Sequence, residues 1–324
     1  MNILNKPTVT FATGSILWLA AISTGFSKPP AGGAGHMQRG IELAEQKHYD
    51  AAVAEFTKAI EANPKDPRGY INRGTAYRQG GRAAEAASDI EGAVPRYTSA
   101  VGDFSKVIEL TPKDAAGYLE RGQTEYILKQ YDAAVTDLNK ALELKPGDEV
   151  GLKFRGSAEI GLSQWDKAVA DLTAAIQKDP NDLFNYDRRA WANRNLKNYD
   201  VAIADYTLLL SKNPNDADAL TKRGYTYTAM GEYEKAIADY QAVLKVTSQD
   251  NNTFQRLQYA QSMLAAKNAP TPPPVAATPL PTPEKPGFIT PLNIGIAIAA
   301  LIIIAIIVRL LTRGREEQTS HRIR

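Results

Sequence analysis

Apolar residues in this chain recur at helical spacing, in segments that repeat along its length. Alanine followed four positions later by a large apolar residue occurs at Ala52 and Phe56, Ala86 and Ile90, Ala134 and Leu138, Ala168 and Leu172, Ala202 and Tyr206, and Ala236 and Tyr240. A spacing of four places both residues on one helical face, whereas a strand would alternate. Twelve positions before each alanine stands the second residue of a dipeptide: Arg39-Gly40, Arg73-Gly74, Arg121-Gly122, Arg155-Gly156, Arg189-Ala190 and Arg223-Gly224. The interval from Arg39 to Arg73 recurs between all successive dipeptides but one, the longer step from Arg73 to Arg121. A period in the range of roughly 20–50 residues marks a stacked array in which each unit buries its apolar face against its neighbours.

Within a unit, a small residue on a first helix and a small-then-large pair on a second let two antiparallel helices approach at one point and interlock at the next. Proline follows the second helix at Pro64, Pro112, Pro146, Pro180 and Pro214, with Ser248 in the last unit. Proline cannot continue a helix, so each is a stop. Gly, Ala, large apolar and Pro at these offsets resemble the tetratricopeptide repeat, a helix-turn-helix unit of about 34 residues. The first-helix aromatic of that family matches Tyr70, Tyr118 and Tyr186, and its tyrosine after the glycine matches only Tyr77 and Tyr227. The resemblance implies an all-α fold: a right-handed α-solenoid of about six such units and a capping helix, to which the sequence adds a transmembrane helix.

The expected boundaries are repeats at 33–66, 67–114, 115–148, 149–182, 183–216 and 217–250, then a capping helix at 251–267. The second unit is longer than the others and repeats a second-helix pattern, Ala86, Asp89, Ile90 and then Ala100, Asp103, Phe104. That added length is nearly four helical turns, so the second helix is expected to lengthen without rotating its apolar stripe, and Pro95 to kink it. An acid precedes the large apolar residue of every second helix: Glu55, Asp89, Asp137, Asp171, Asp205 and Asp239. These are expected to pair with the arginines of the dipeptides. If exposed, such pairs contribute roughly 0–1 kcal/mol each. The alternative is an arginine ladder facing an acidic ligand.

The two ends bear on location. Residues 288–308 form an uncharged, largely apolar stretch, followed by a basic tail, 309–324, holding Arg309, Arg313, Arg315, Arg322 and Arg324. This reads as a membrane span with a cytoplasmic tail. Residues 1–32 carry an apolar stretch from Val9 to Phe26 behind Lys6, with Ala21-Ile22-Ser23 as a cleavage site, and read as a signal peptide or a second anchor. Together the ends place the repeats outside the cytoplasm, on the periplasmic side of a bacterial inner membrane. Residues 268–287 hold eight prolines and read as a semi-rigid spacer. The rival topology is a cytosol-facing adaptor held by its carboxyl-terminal span.

Composition narrows the function classes further. The chain has no cysteine, and its three histidines, His36, His48 and His321, form neither a triad nor a metal cluster by their placement. No catalytic residue, cofactor or metal site is expected, and an enzyme or enzyme subunit remains only as an alternative with an unrecognised site. A formal charge of +2, from 38 basic and 36 acidic residues, argues against a nucleic-acid binder. The expected function is a scaffold that binds a protein or peptide on the concave face, which in the family is lined by first helices. Carrying those positions over gives Tyr126, Ile127, Lys153, Phe184, Trp191, Arg194 and Tyr225, aromatics with nearby cations of the kind that interaction hot spots favour.

Overall fold

The computed structural model describes residues 31–247, 250–269, 295, 298–307 and 309. Residues 31–268 form thirteen helices in antiparallel pairs, and no strand occurs among the described residues. The pairs are α1 (Ala31–Glu45) with α2 (Tyr49–Ala62), α3 (Pro67–Ala86) with α4 (Ile90–Leu110), and α5 (Ala115–Ile127) with α6 (Tyr131–Leu144). They continue as α7 (Glu149–Gly161) with α8 (Trp165–Lys178), α9 (Leu183–Asn195) with α10 (Tyr199–Lys212), and α11 (Ala217–Met230) with α12 (Tyr233–Val246). The array ends on α13 (Asn251–Asn268), packed on α12.

The repeated small and large residues build the core as their spacing implied. Ala52, Ala134, Ala168, Ala202 and Ala236 are fully buried, and so, to within a percent, are Phe56, Leu138, Leu172, Tyr206 and Tyr240. Burying each large side chain contributes about 1.5–3 kcal/mol. Opposite them the backbone approaches too closely for a side chain: a Cβ on Gly74 would lie 2.8 Å from the Phe104 ring.

Both junction types are capped. An aspartate two positions after each stop, at Asp66, Asp114, Asp148, Asp182, Asp216 and Asp250, accepts backbone N–H groups from the first turn of the next helix. Each first helix ends in a left-handed residue, Lys47, Ser88, Lys129, Ser163, Lys197 or Gly231, where the last two amides bond back to the closing turn. Only Gly231 adopts that backbone without a Cβ penalty. Replacing Lys129, Ser163 and Lys197 by glycine is therefore expected to stabilise the solenoid, by roughly 0.5–1 kcal/mol per site. Urea denaturation of the triple variant checks this; an unchanged or lowered midpoint would refute it.

The long second unit departs from expectation. The added length does not go into the second helix alone. Helices α3 and α4 run 20 and 21 residues where those of the next four units, α5 to α12, run 13 or 14, so each gains two turns and the connecting turn moves to Ala87–Asp89. An antiparallel pair has to lengthen on both strokes, because a lone extension would have no partner to bury its stripe. A heptad is almost two whole turns, so both stripes stay in phase. The added turns carry their own close approach, with a Cβ on Gly81 lying 2.6 Å from Tyr97, repeating Gly74 against Phe104. Ala86 and Ile90 are accordingly exposed at the hairpin tip, and Asp89 caps α4 instead of meeting Arg73. Pro95 sits in the second turn of α4, which runs through it as one helix.

Five of the six expected Arg–acid pairs form, with one change of partner. Arg73 to Asp103, Arg121 to Asp137, Arg155 to Asp171, Arg189 to Asp205 and Arg223 to Asp239 are bidentate, at 2.5–2.9 Å. The third nitrogen of each guanidinium donates to Thr57, Ser105, Asn139, Thr173 or Thr207 on the second helix of the preceding unit. One arginine thus ties two units. The aspartates are buried, so the ladder is neither the weak surface pairing expected nor free to receive an acidic ligand. The first unit differs: Arg39 meets Glu42, and Glu55 takes His36 and Lys58.

Among the described residues no helix is long and apolar enough to cross a membrane. Within the expected span at 288–308, residues 295 and 298–307 are helical, with exposed isoleucines and Leu301. The rest of that span, nearly all of 1–32, the spacer beyond residue 269 and the tail beyond Arg309 lie outside the described residues.

Candidate functional site

First helices of successive units touch one another, α1 against α3, α5 against α7 and α7 against α9, which makes their line the inner face of the solenoid. Three of the seven residues expected on that face come together. The Arg194 guanidinium lies 5.2 Å from the Trp191 ring on its own helix and 4.8 Å from the Tyr225 ring on α11. Arg256 on α13 approaches the same Tyr225 ring at 5.3 Å. Trp191, Arg194, Tyr225 and Arg256 thus form an alternating column across three helices. Such contacts contribute from about 0.5 to 2 kcal/mol each, depending on desolvation, and hold the guanidinium planes in place.

The other four expected residues are placed differently. Tyr126 belongs to the core between α5 and α7, with its ring 5.6 Å from Phe154 and 6.1 Å from Tyr131. Ile127 is half-buried at the end of α5. The Lys153 ammonium is committed to Asp182 at 2.9 Å and Glu149 at 3.4 Å, and those carboxylates hold its pKa above the usual value against the opposing effect of burial. Phe184 stands two turns below Trp191 on α9 and carries Arg188 at 4.9 Å.

The sequence reading missed Arg188, Lys222, Arg256 and Tyr259. Their signal is the period itself. Arg188, Lys222 and Arg256 are one repeat period apart, and so are Trp191, Tyr225 and Tyr259, three positions further on. The last three first helices therefore present a cation column beside an aromatic column, whereas the same positions upstream hold Gln38 and Ile41, Asn72 and Thr75, Glu120 and Gln123, Phe154 and Ser157. Lys222 is neutralised by Asp187 and Asp218, at 2.7 and 2.6 Å. A shallow cleft between α11 and α13 is floored by Tyr240 and walled by Tyr225, Asn252, Arg256 and Tyr259. Among the described residues no group of His, Asp or Glu is arranged to hold a metal ion.

Three family models described as tetratricopeptide repeat match residues 37–100 and 88–149, 186–216, and 217–248, together more than half of the chain. The chain belongs to the tetratricopeptide repeat family. This tetratricopeptide repeat protein is 40% identical over 57 residues to tetratricopeptide repeat protein 36 of Caenorhabditis elegans, covering 18% of the chain and 32% of that protein. It is 39% identical over 54 residues to Hsp70-Hsp90 organizing protein 2 of Arabidopsis thaliana, covering 17% of the chain and 10% of that protein. The chain thus spans about a third or less of the length of these curated relatives. Among solved structures it is similar to YrrB, described as a tetratricopeptide repeat protein with an unusual peptide-binding site, at a TM-score of 0.51 and 22% identity, covering 64% of this chain and 97% of that one. At that identity the likeness shows the repeat fold.

Proposed function

We propose that this protein is a scaffold whose solenoid binds a segment of a partner protein on the inner face of α9, α11 and α13, and that it is not itself a catalyst. The column of Trp191, Arg194, Tyr225 and Arg256 carries the proposal. Tyr225 is 45% exposed and Tyr259 55%, so the aromatic surface is open to a partner. Tryptophan, tyrosine and arginine dominate the energetics of protein interfaces because they combine large area with directional polar ends. Display-library panning on the full-length chain tests this reading. Clones are expected to enrich on the native chain and to be lost on Trp191→Ala/Tyr225→Ala; a library that enriches none, or only clones indifferent to both residues, would count against it.

We further propose that the scaffold is held at a membrane through 288–308, with the repeats on the extracytoplasmic side and the basic tail inside. The uncharged run and the arginines behind it support this reading. Protease added to sealed cells separates the two topologies: digestion within 35–267 fits the exported arrangement, and protection until the membrane is broken fits a cytosol-facing one.

A further inference from the structure

The solenoid neutralises its arginines almost systematically. Each ladder arginine holds an aspartate, Arg68 holds Asp66, Arg78 holds Glu120 and Arg96 holds Asp50. Arg188, Arg194 and Arg256 depart from this rule, having no carboxylate within ion-pair distance among the described residues. All three belong to the last three first helices, and all three lie against an aromatic ring of the inner face. The Arg188 Nε is in addition buried with no hydrogen-bond partner. Each is held in position without an ion pair, Arg256 donating through Nε to Asn252 at 3.0 Å with Asp250 acting on it only from longer range.

Resting on the interaction reading above, we propose that the partner segment is acidic and extended, with carboxylates at alternate residues reaching Arg194 and Arg256 while the intervening backbone crosses Tyr225. The geometry sets that spacing. Both guanidiniums lie near one ring, at 4.8 and 5.3 Å, so they are separated by no more than about 10 Å. Alternate side chains of an extended strand leave on the same side, about 6.6–7 Å apart, within reach of both. Aromatic stacking preorganises the guanidiniums, so less freedom is lost when carboxylates bind bidentately.

The same face argues against a nucleic acid. Asp187 and Asp218 lie among these helices and Glu149 lies beside Lys153, and the Asp218 side chain is 60% exposed. A continuous phosphate backbone would meet them, whereas discrete carboxylates can pass between.

Fluorescence anisotropy with the purified full-length chain in mild detergent tests the proposal. The probes are two short labelled peptides of one scaffold, one with glutamates at alternate positions and one with glutamines there. The glutamate peptide is expected to bind about tenfold or more tightly than the glutamine peptide, with the difference shrinking at high salt. Arg194→Gln/Arg256→Gln is expected to erase the difference while Arg39→Gln, at the exposed arginine of the first unit, preserves it; unchanged far-ultraviolet dichroism confirms that both variants fold. Equal binding of the two peptides, lost on Trp191→Ala/Tyr225→Ala, would overturn the acidic assignment and leave the interaction reading standing. Displacement by single-stranded polyuridine, sensitive to the same arginine pair, would overturn it in favour of a polyanion. Failure of both peptides to bind would overturn it as well, and the display panning then decides separately whether the interaction reading falls with it.

Discussion

Arg189→Leu is expected to destabilise the solenoid by about 3 kcal/mol or more, because breaking a buried ion pair by removing one partner strands the other charge. Asp205 is 6% exposed at its side chain and accepts both of its short hydrogen bonds from Arg189, whose third nitrogen reaches Thr173 of the preceding unit. The double variant Arg189→Leu/Asp205→Leu, which leaves no buried charge, is expected to recover most of the loss. Urea denaturation of both variants supplies the cycle. The loss should also appear as reduced cooperativity, since the removed contact joins two units and nearest-neighbour coupling is what makes a repeat array unfold together. Additive single losses, with Asp205→Leu as the fourth corner, would show the ladder to be a surface feature without coupling between its partners.

The second large effect comes from two carboxyls buried near the ends of α5 and α7. Glu125 and Glu159 each have one oxygen lacking any hydrogen bond. Burial, reinforced by the charges of Asp137 and Asp171, pushes both up to about 7 from an ordinary 4.5. A carboxyl that binds its proton more tightly when folded contributes stability that is complete below the unfolded value and is lost as the pH rises through the folded one. The protein is therefore expected to gain stability between pH 8 and pH 5. Glu125→Gln/Glu159→Gln should remove most of that gain and raise stability at pH 8 by on the order of 1–3 kcal/mol for the pair, after allowing for solvent screening. Denaturation midpoints of both proteins at pH 5 and pH 8 decide it. A native-like slope in the variant would assign the pH dependence to other groups.

These two features also mark where sequence reading succeeds and stops. Arg and Asp at fixed positions of a fixed period were enough to predict the ladder, because a pair repeated in every unit has to meet the same way each time. Choosing between Asp89 and Asp103 was not possible from local pattern, since both follow an alanine by three and precede an apolar residue. What decides is that two antiparallel helices lengthen together, a property of the pair and not of either segment. At Glu125 and Glu159 the sequence showed only the loss of the family's tyrosine; that a carboxyl fills the same buried slot became apparent from packing. The binding face was half legible. Trp191, Arg194 and Tyr225 were found from first-helix positions, but Arg256 and Tyr259 were hidden because their helix has Leu257-Gln258 where the others have the Arg-Gly marker. Read as a cap, α13 was never aligned with the units it continues.

Leu257 and Gln258 set α13 apart from the first helices before it. Helix α13 begins one repeat period after α11 and sits where a seventh first helix belongs, with Asp250 at its start and Thr253, Leu257 and Ala260 buried. In five of the six complete units a glycine leaves room for the ring or branched chain of the second helix, at distances where a Cβ would collide, and in the other Ala190 packs in the core with Tyr206. At the same register α13 carries Gln258, which is exposed, and Leu257, which offers no charge to an aspartate. A second helix of the repeated pattern placed there would meet the Gln258 side chain where the others meet glycine or alanine, and no arginine for its aspartate. The Arg-Gly marker therefore coincides with the paired first helices, and α13 has lost both halves of it.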